Sequence, residues 1–116
     1  MSTGASVAIV LVAALHVYFL VLEVFLWNTP FGRRVFRLTP EFAAASRVLA
    51  ANQGLYNGFL AAGLFWGLSQ RSSTIAAFFL ICVVVAGVFG AATVNRRIFW
   101  IQAAPALLAL ALLRWT

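Results

Sequence analysis

Four long apolar runs separated by short polar punctuation organise the chain. The first reads SVAIVLVAALHVYFLVLEVFLW from Ser6 to Trp27, and the others cover about 46–68, 74–94 and 98–113. The apolar residues are continuous rather than alternating, which predicts helices and not strands. A helix rises ~1.5 Å per residue and a bilayer core is ~30 Å thick, so about 20 residues cross it. Each run is expected to span a membrane. The fourth is short and calls for local thinning or little tilt. The connections at 70–73 and 95–97 are brief, which makes consecutive helices antiparallel neighbours. The pattern therefore predicts an all-α fold, a transmembrane up-down four-helix bundle forming one domain over residues 1–116.

The first connection is longer and has its own chemistry. Asn28-Thr29-Pro30-Phe31-Gly32 carries turn residues. Phe31, Val35, Phe36 and Leu38 then interleave with Arg33, Arg34 and Arg37, a composition suited to the headgroup boundary with arginines on anionic lipid. Thr39-Pro40-Glu41 reads as a helix start: Thr39 as the cap, Pro40 in the first helical position, Glu41 a capping charge in the first turn. The second helix is thus expected to begin before the membrane does.

Composition supports a lipid solvent. Hydrophobic residues make up 65% of the chain and charged residues 9%, against about 25% charged in soluble domains. A chain of this size cannot bury so much apolar side chain in a core of its own. Its net charge of +6 comes from arginine alone. Such a balance serves nucleic acid only when the charge forms a patch among polar residues. Here the arginines punctuate apolar runs, so membrane lipids are the expected partners and nucleic acid is not. Arg33, Arg34, Arg37, Arg47, Arg96 and Arg97 fall on one side of the predicted bundle and Arg71 and Arg114 on the other. That asymmetry predicts a multi-pass protein of the bacterial cytoplasmic (inner) membrane with both termini outside. Met1–Ala5 has no positively charged region, so the first run is expected to be retained as a span and not removed as a signal. Cys82, alone in an apolar run, reads as a small buried hydrophobe.

Against this background Glu23 stands out. It is one of two acidic residues in the chain, and a carboxyl group near the centre of a spanning helix costs ~2.5–3.5 kcal/mol on insertion scales. His16, Leu20, Glu23 and Trp27 share one helical face. By depth, His16 lies at the midplane and Glu23 ~9 Å to the cytoplasmic side of it. Asn52, Gln53, Tyr56 and Asn57 cover a ~140° arc of the second helix, and Asn52, Gln53 and, in the fourth span, Gln102 lie ~6–8 Å to the cytoplasmic side of their midpoints. Thr93 closes the cytoplasmic end of the third span. The expectation is a polar pocket in the cytoplasmic half that binds a ligand through His16, Glu23, Trp27, Asn52, Gln53, Tyr56, Asn57, Thr93 and Gln102. Small-residue faces, Ala51, Gly54, Gly58 and Ala62 on the second helix and Cys82, Ala86 and Gly90 on the third, are expected to serve close packing and homo-oligomer formation. Trp27, Trp66, Trp100 and Trp115 fall near span ends and read as interfacial belt residues. No metal or cofactor is expected: His16 and Glu23 are ~10.5 Å apart along the helix axis, too far for one ion, whose ligand atoms lie within ~2.0–2.2 Å.

The segment from His16 through Glu23 to Trp27, the stretch Asn52-Gln53-Gly54-Leu55-Tyr56-Asn57-Gly58 continuing to Gly63, then Gly87, Gly90-Ala91-Ala92-Thr93 and Gln102, resemble the domain-of-unknown-function 1304 family. The resemblance covers nearly the whole chain. It implies a small bacterial integral membrane protein with four spans and brings no activity with it. From the residues, three functions are open. The first is binding or transport of a small amphiphilic or hydrophobic molecule, with Glu23 exchanging a proton. The second is an intramembrane enzyme, isomerase-like, using His16 and Glu23 as acid and base. The third is a structural or assembly subunit.

Overall fold

The computed structural model describes residues 1–115, and the fold is all-α. Five α-helices run α1 (Thr3–Val24), α2 (Pro30–Phe36), α3 (Pro40–Ser69), α4 (Ser73–Thr93) and α5 (Ala104–Arg114), with a π-helical turn, Phe99–Ala103, leading into α5. The first four starts share one device. A Ser or Thr hydroxyl accepts the backbone N–H three residues on: Ser2 from Ala5 at 3.1 Å, Thr29 from Gly32 at 3.2 Å, Thr39 from Phe42 at 3.1 Å and Ser72 from Ile75 at 3.1 Å. Each satisfies one of the donors that the first helical turn leaves unpaired. The Thr39-Pro40 start thus lies where the sequence places it. The same Thr-Pro pair ten residues earlier also opens a helix, α2, within what reads in sequence as a turn.

Helix α3 stops through a Schellman closure. Ser72 N–H reaches the Gly67 carbonyl at 2.9 Å and Arg71 N–H the Leu68 carbonyl at 3.1 Å. Arg71 occupies the left-handed position, φ 49°, where glycine is the usual choice. A left-handed non-glycine residue costs roughly 1–2 kcal/mol. Arg71→Gly is therefore expected to raise stability by up to about 1 kcal/mol, once the extra chain entropy of glycine is subtracted. Thermal unfolding in detergent reads this directly, and a lowered melting temperature would contradict it.

The chain forms two compact units, Leu15–Phe59 and Met1–Ala14 with the residues from Leu60 onward. In the second of these, the core is built mainly from alanine, leucine, valine and isoleucine, with Ile9, Leu64 and Leu80 fully buried. Helix α4 packs along the π turn and α5, and presents Ala76, Leu80, Val83 and Gly87 as its buried face. This corrects the expected packing strip at two of its three positions. Cys82 is only half-buried and Ala86 is exposed, because the buried stripe follows the larger Leu80 and Val83, whereas Gly90 sits where a Cβ would lie 2.9 Å from Ile98 Cγ2. Gly87 sits where a Cβ would lie 2.7 Å from Ala103 N, so the backbones of α4 and the π turn approach closely. The π turn ends at Ala104, whose N–H reaches back to the Phe99 carbonyl. Pro105, one residue on, has no N–H to give Ile101, so the irregular turn lies where regular α-helical bonding is already interrupted.

Two helices, α1 and α4, are long and apolar enough to cross a membrane. Only 33% and 22% of their most apolar windows are buried within the protein, so much of their apolar surface faces outward. The segment Phe99–Arg114 is apolar and short. Helix α3 has the length, but Asn52, Gln53, Tyr56 and Asn57 dilute its apolar character.

Candidate functional site

Within the unit Leu15–Phe59, the second half of α1 lies antiparallel to the first two-thirds of α3. A Cβ at Gly54 would meet Val24 Cγ2 at 2.7 Å, Glu23 Cβ at 3.0 Å and the Leu20 carbonyl at 3.3 Å, and one at Gly58 would meet Leu20 Cδ1 at 2.6 Å. Two glycines four residues apart let the helices touch along one seam. At the edge of that seam Asn57, 7% exposed, donates through Nδ2 to Glu23 Oε1 at 2.5 Å. Glu23 itself is partly exposed. The carboxyl group therefore holds a donor on its neighbouring helix and retains a second oxygen. An acceptor of this polarity is expensive to leave bare.

The seam decides which polar residues of α3 can take part. Gly54 and Asn57 are buried and Gly58 half-buried, whereas Asn52, Gln53 and Tyr56 are exposed. Tyr56 is 51% exposed and sets its ring edge-on to Phe59 at 6.0 Å. The small-residue face of α3 is thus the face that meets Glu23. A ~140° arc is wider than one helix contact, and Asn57 is the member lying next to the glycines.

His16, two turns before Glu23 on α1, is fully buried, and its ring meets Phe19 edge-on at 5.4 Å. None of its buried nitrogen atoms lacks a partner. Trp27 falls beyond the end of α1, which stops at Val24; it does not continue the face of His16 and Glu23. The Thr29 hydroxyl donates to the Leu26 carbonyl at 2.7 Å and turns the chain here. Trp27 Nε1 then donates to Ser46 Oγ at 3.0 Å, Ser46 donates to the Phe42 carbonyl at 2.7 Å, and the Trp27 ring lies 4.9 Å from that of Phe36. Trp27 thereby ties the end of α1 to α2 and to the start of α3. Ser46 had no signal in the sequence, since its partner lies 19 residues away.

Thr93 and Gln102 belong to the other unit. Thr93 is exposed and spends its hydroxyl on the Phe89 carbonyl at 2.7 Å. Gln102 lies half-buried in the π turn, where it has an interaction partner. Of the nine residues singled out, Glu23 and Asn57 are joined directly by a hydrogen bond.

Residues 10–114 match a family described as Protein of unknown function (DUF1304). The uncharacterised protein YpaA of Lactococcus lactis subsp. lactis (strain IL1403) is 34% identical over 104 residues, covering 86% of this chain and 87% of its own length. No solved structure gives a significant match. The breadth of both matches places the chain in the DUF1304 family.

Proposed function

We propose that the protein crosses the bacterial cytoplasmic membrane four times, with both termini outside, and binds or transports a small amphiphilic or hydrophobic molecule at Glu23. The observation that carries this reading is the Asn57–Glu23 hydrogen bond on a seam otherwise made of glycine, leucine and valine. An ionisable side chain at membrane depth is retained for a task or is held by a partner, and it marks ligand and proton pathways. Here the partner is a neutral amide, which leaves the carboxyl group able to gain or lose a proton without breaking an ion pair. Protonation changes Oε1 and Oε2 from two acceptors to a donor and an acceptor, and so changes what the group can hold. His16 and the exposed polar arc of α3 would shape the approach rather than make the exchange.

The test is binding of a panel of cationic, neutral and anionic fluorescent amphiphiles to the detergent-purified protein between pH 5 and 9. At least one is expected to bind with an affinity that changes across this range. In Glu23→Gln that change is expected to vanish, since the amide does not titrate. Unchanged pH dependence in the variant removes Glu23 as the proton-exchanging group. Native mass spectrometry of the purified protein checks independently for a retained small molecule.

A further inference from the structure

A second polar feature lies at the end of α1, apart from Glu23. Val24, Phe25, Trp27, Asn28, Thr29 and Arg47 line a cleft of ≈ 240 Å³. Some of its polar groups are committed within the protein and others are not. Arg33 Nη1 donates to both the backbone carbonyl and Oδ1 of Asn28, each at 2.9 Å. That fixes the Asn28 amide by its oxygen and leaves its two N–H groups to give. The Thr29 hydroxyl is committed to Leu26 and Gly32, and the Trp27 N–H to Ser46. Arg47 makes no ion pair among the described residues. The chain has two acidic side chains, Glu23 and Glu41; Glu23 is bonded to Asn57, and Glu41 makes no ion pair among the described residues. A guanidinium beside a fixed amide, with no anion supplied by the protein, fits a phosphate group, which arginine grips in bidentate fashion.

We infer that this cleft is a binding site for one phosphate group, formed by Arg47 and the Asn28 amide with Val24 and Phe25 as its apolar wall. Its volume falls below the ~300–1,000 Å³ of pockets that enclose drug-sized ligands, so it takes a head and leaves any tail outside. Phospholipid headgroups and free phosphate share this chemistry. Phe25, largely exposed beside the cleft, favours the lipid, since it offers an acyl chain an apolar surface to continue along. The inference does not depend on any role for Glu23.

The test is native mass spectrometry of protein exchanged into detergent carrying phosphatidylglycerol, with inorganic phosphate as the second arm. Wild type is expected to retain one phosphatidylglycerol. Arg47→Gln is expected to weaken this by about tenfold, the lower end of what a hydrogen bond to a charged group provides. Arg34→Gln, a change on the exposed side of α2, is expected to leave it within about twofold, as surface charges add little individually. Equal weakening by both variants would replace the site with diffuse attraction to a basic segment, and full retention in Arg47→Gln would overturn it. Competition by millimolar inorganic phosphate would support the site and assign it to the free anion. Circular dichroism of Arg47→Gln keeps loss of the site distinct from loss of the fold.

Discussion

Asn57→Leu is expected to destabilise the protein by about 2–3 kcal/mol, as read by reversible unfolding in mixed micelles. The loss follows from what remains behind. Glu23 Oε1 accepts the Asn57 amide on a seam whose other neighbours are Leu20, Val24 and two glycines. Removing the donor takes that bond from a carboxyl group that is only partly exposed, and a polar group desolvated without its partner costs ~1–3 kcal/mol, more when charged. Replacing both partners by apolar groups is expected to recover most of the loss, because the cost lies in the mismatch and not in the absence of a bond. The Glu23→Leu, Asn57→Leu double variant should therefore be more stable than Asn57→Leu alone. A coupling energy in the cycle at or below the ~0.6 kcal/mol typical of interhelical bonds would reduce the pair to ordinary packing polarity and weaken the case for Glu23 as a site.

Gly32→Ala is expected to be at least as damaging, at or above ~3 kcal/mol, the upper end for overpacking. Gly32 is buried in α2, and a Cβ there would run into the backbone carbonyl of Leu26, with Leu26 C at 2.8 Å and Trp27 O at 2.9 Å. These are main-chain atoms and cannot rotate aside. Relief requires α2 to move away from the end of α1, breaking the Thr29 cap and the Trp27–Phe36 ring contact together. The expected readout is a lowered melting temperature with new proteolytic cleavage between 28 and 39. Gly4→Ala serves as the control: its Cβ would meet only Ser2 Oγ, at 3.9 Å, and the change should be neutral or slightly stabilising. Matching effects at both positions would mean that the Leu26 contact does not hold α2 in place.

Much of the architecture was legible because it rests on local chemistry. Runs of apolar residues, bounded by Ser or Thr caps, mark the helices, and Thr39-Pro40-Glu41 located the start of α3 outside its apolar run. Helix α2 escaped notice although Thr29-Pro30 carries the same signature, because the Asn28–Gly32 composition also satisfies a turn and a seven-residue helix leaves no periodicity to detect. The candidate site was legible only in part. Helical periodicity assigns each residue an angle, but it does not say which sector the neighbouring helix covers. That choice is made by the glycines: Gly54 and Gly58 admit α1, so Asn57 meets Glu23 while Asn52, Gln53 and Tyr56 turn outward. The displacement of Trp27 from the face of His16 and Glu23 has a similar origin. A hydroxyl at Thr29 ends α1 early, and no count of residues along an unbroken helix anticipates it.

The amide already resting on Glu23 has a bearing on selectivity. A molecule binding at this carboxyl group would meet one oxygen already holding a donor, and would either bond the second oxygen beside the amide or displace it. Hydrocarbons, ethers and esters bring no N–H or O–H and leave Asn57 the better partner. Amines, ammonium ions and alcohols can exchange with it, and a site built around such a bond rejects analogues that lack the donor far more strongly than an apolar pocket rejects an extra methylene. The resting contact between two helices would then act as a competitor of fixed strength, built into the chain, for any entrant that reaches Oε1.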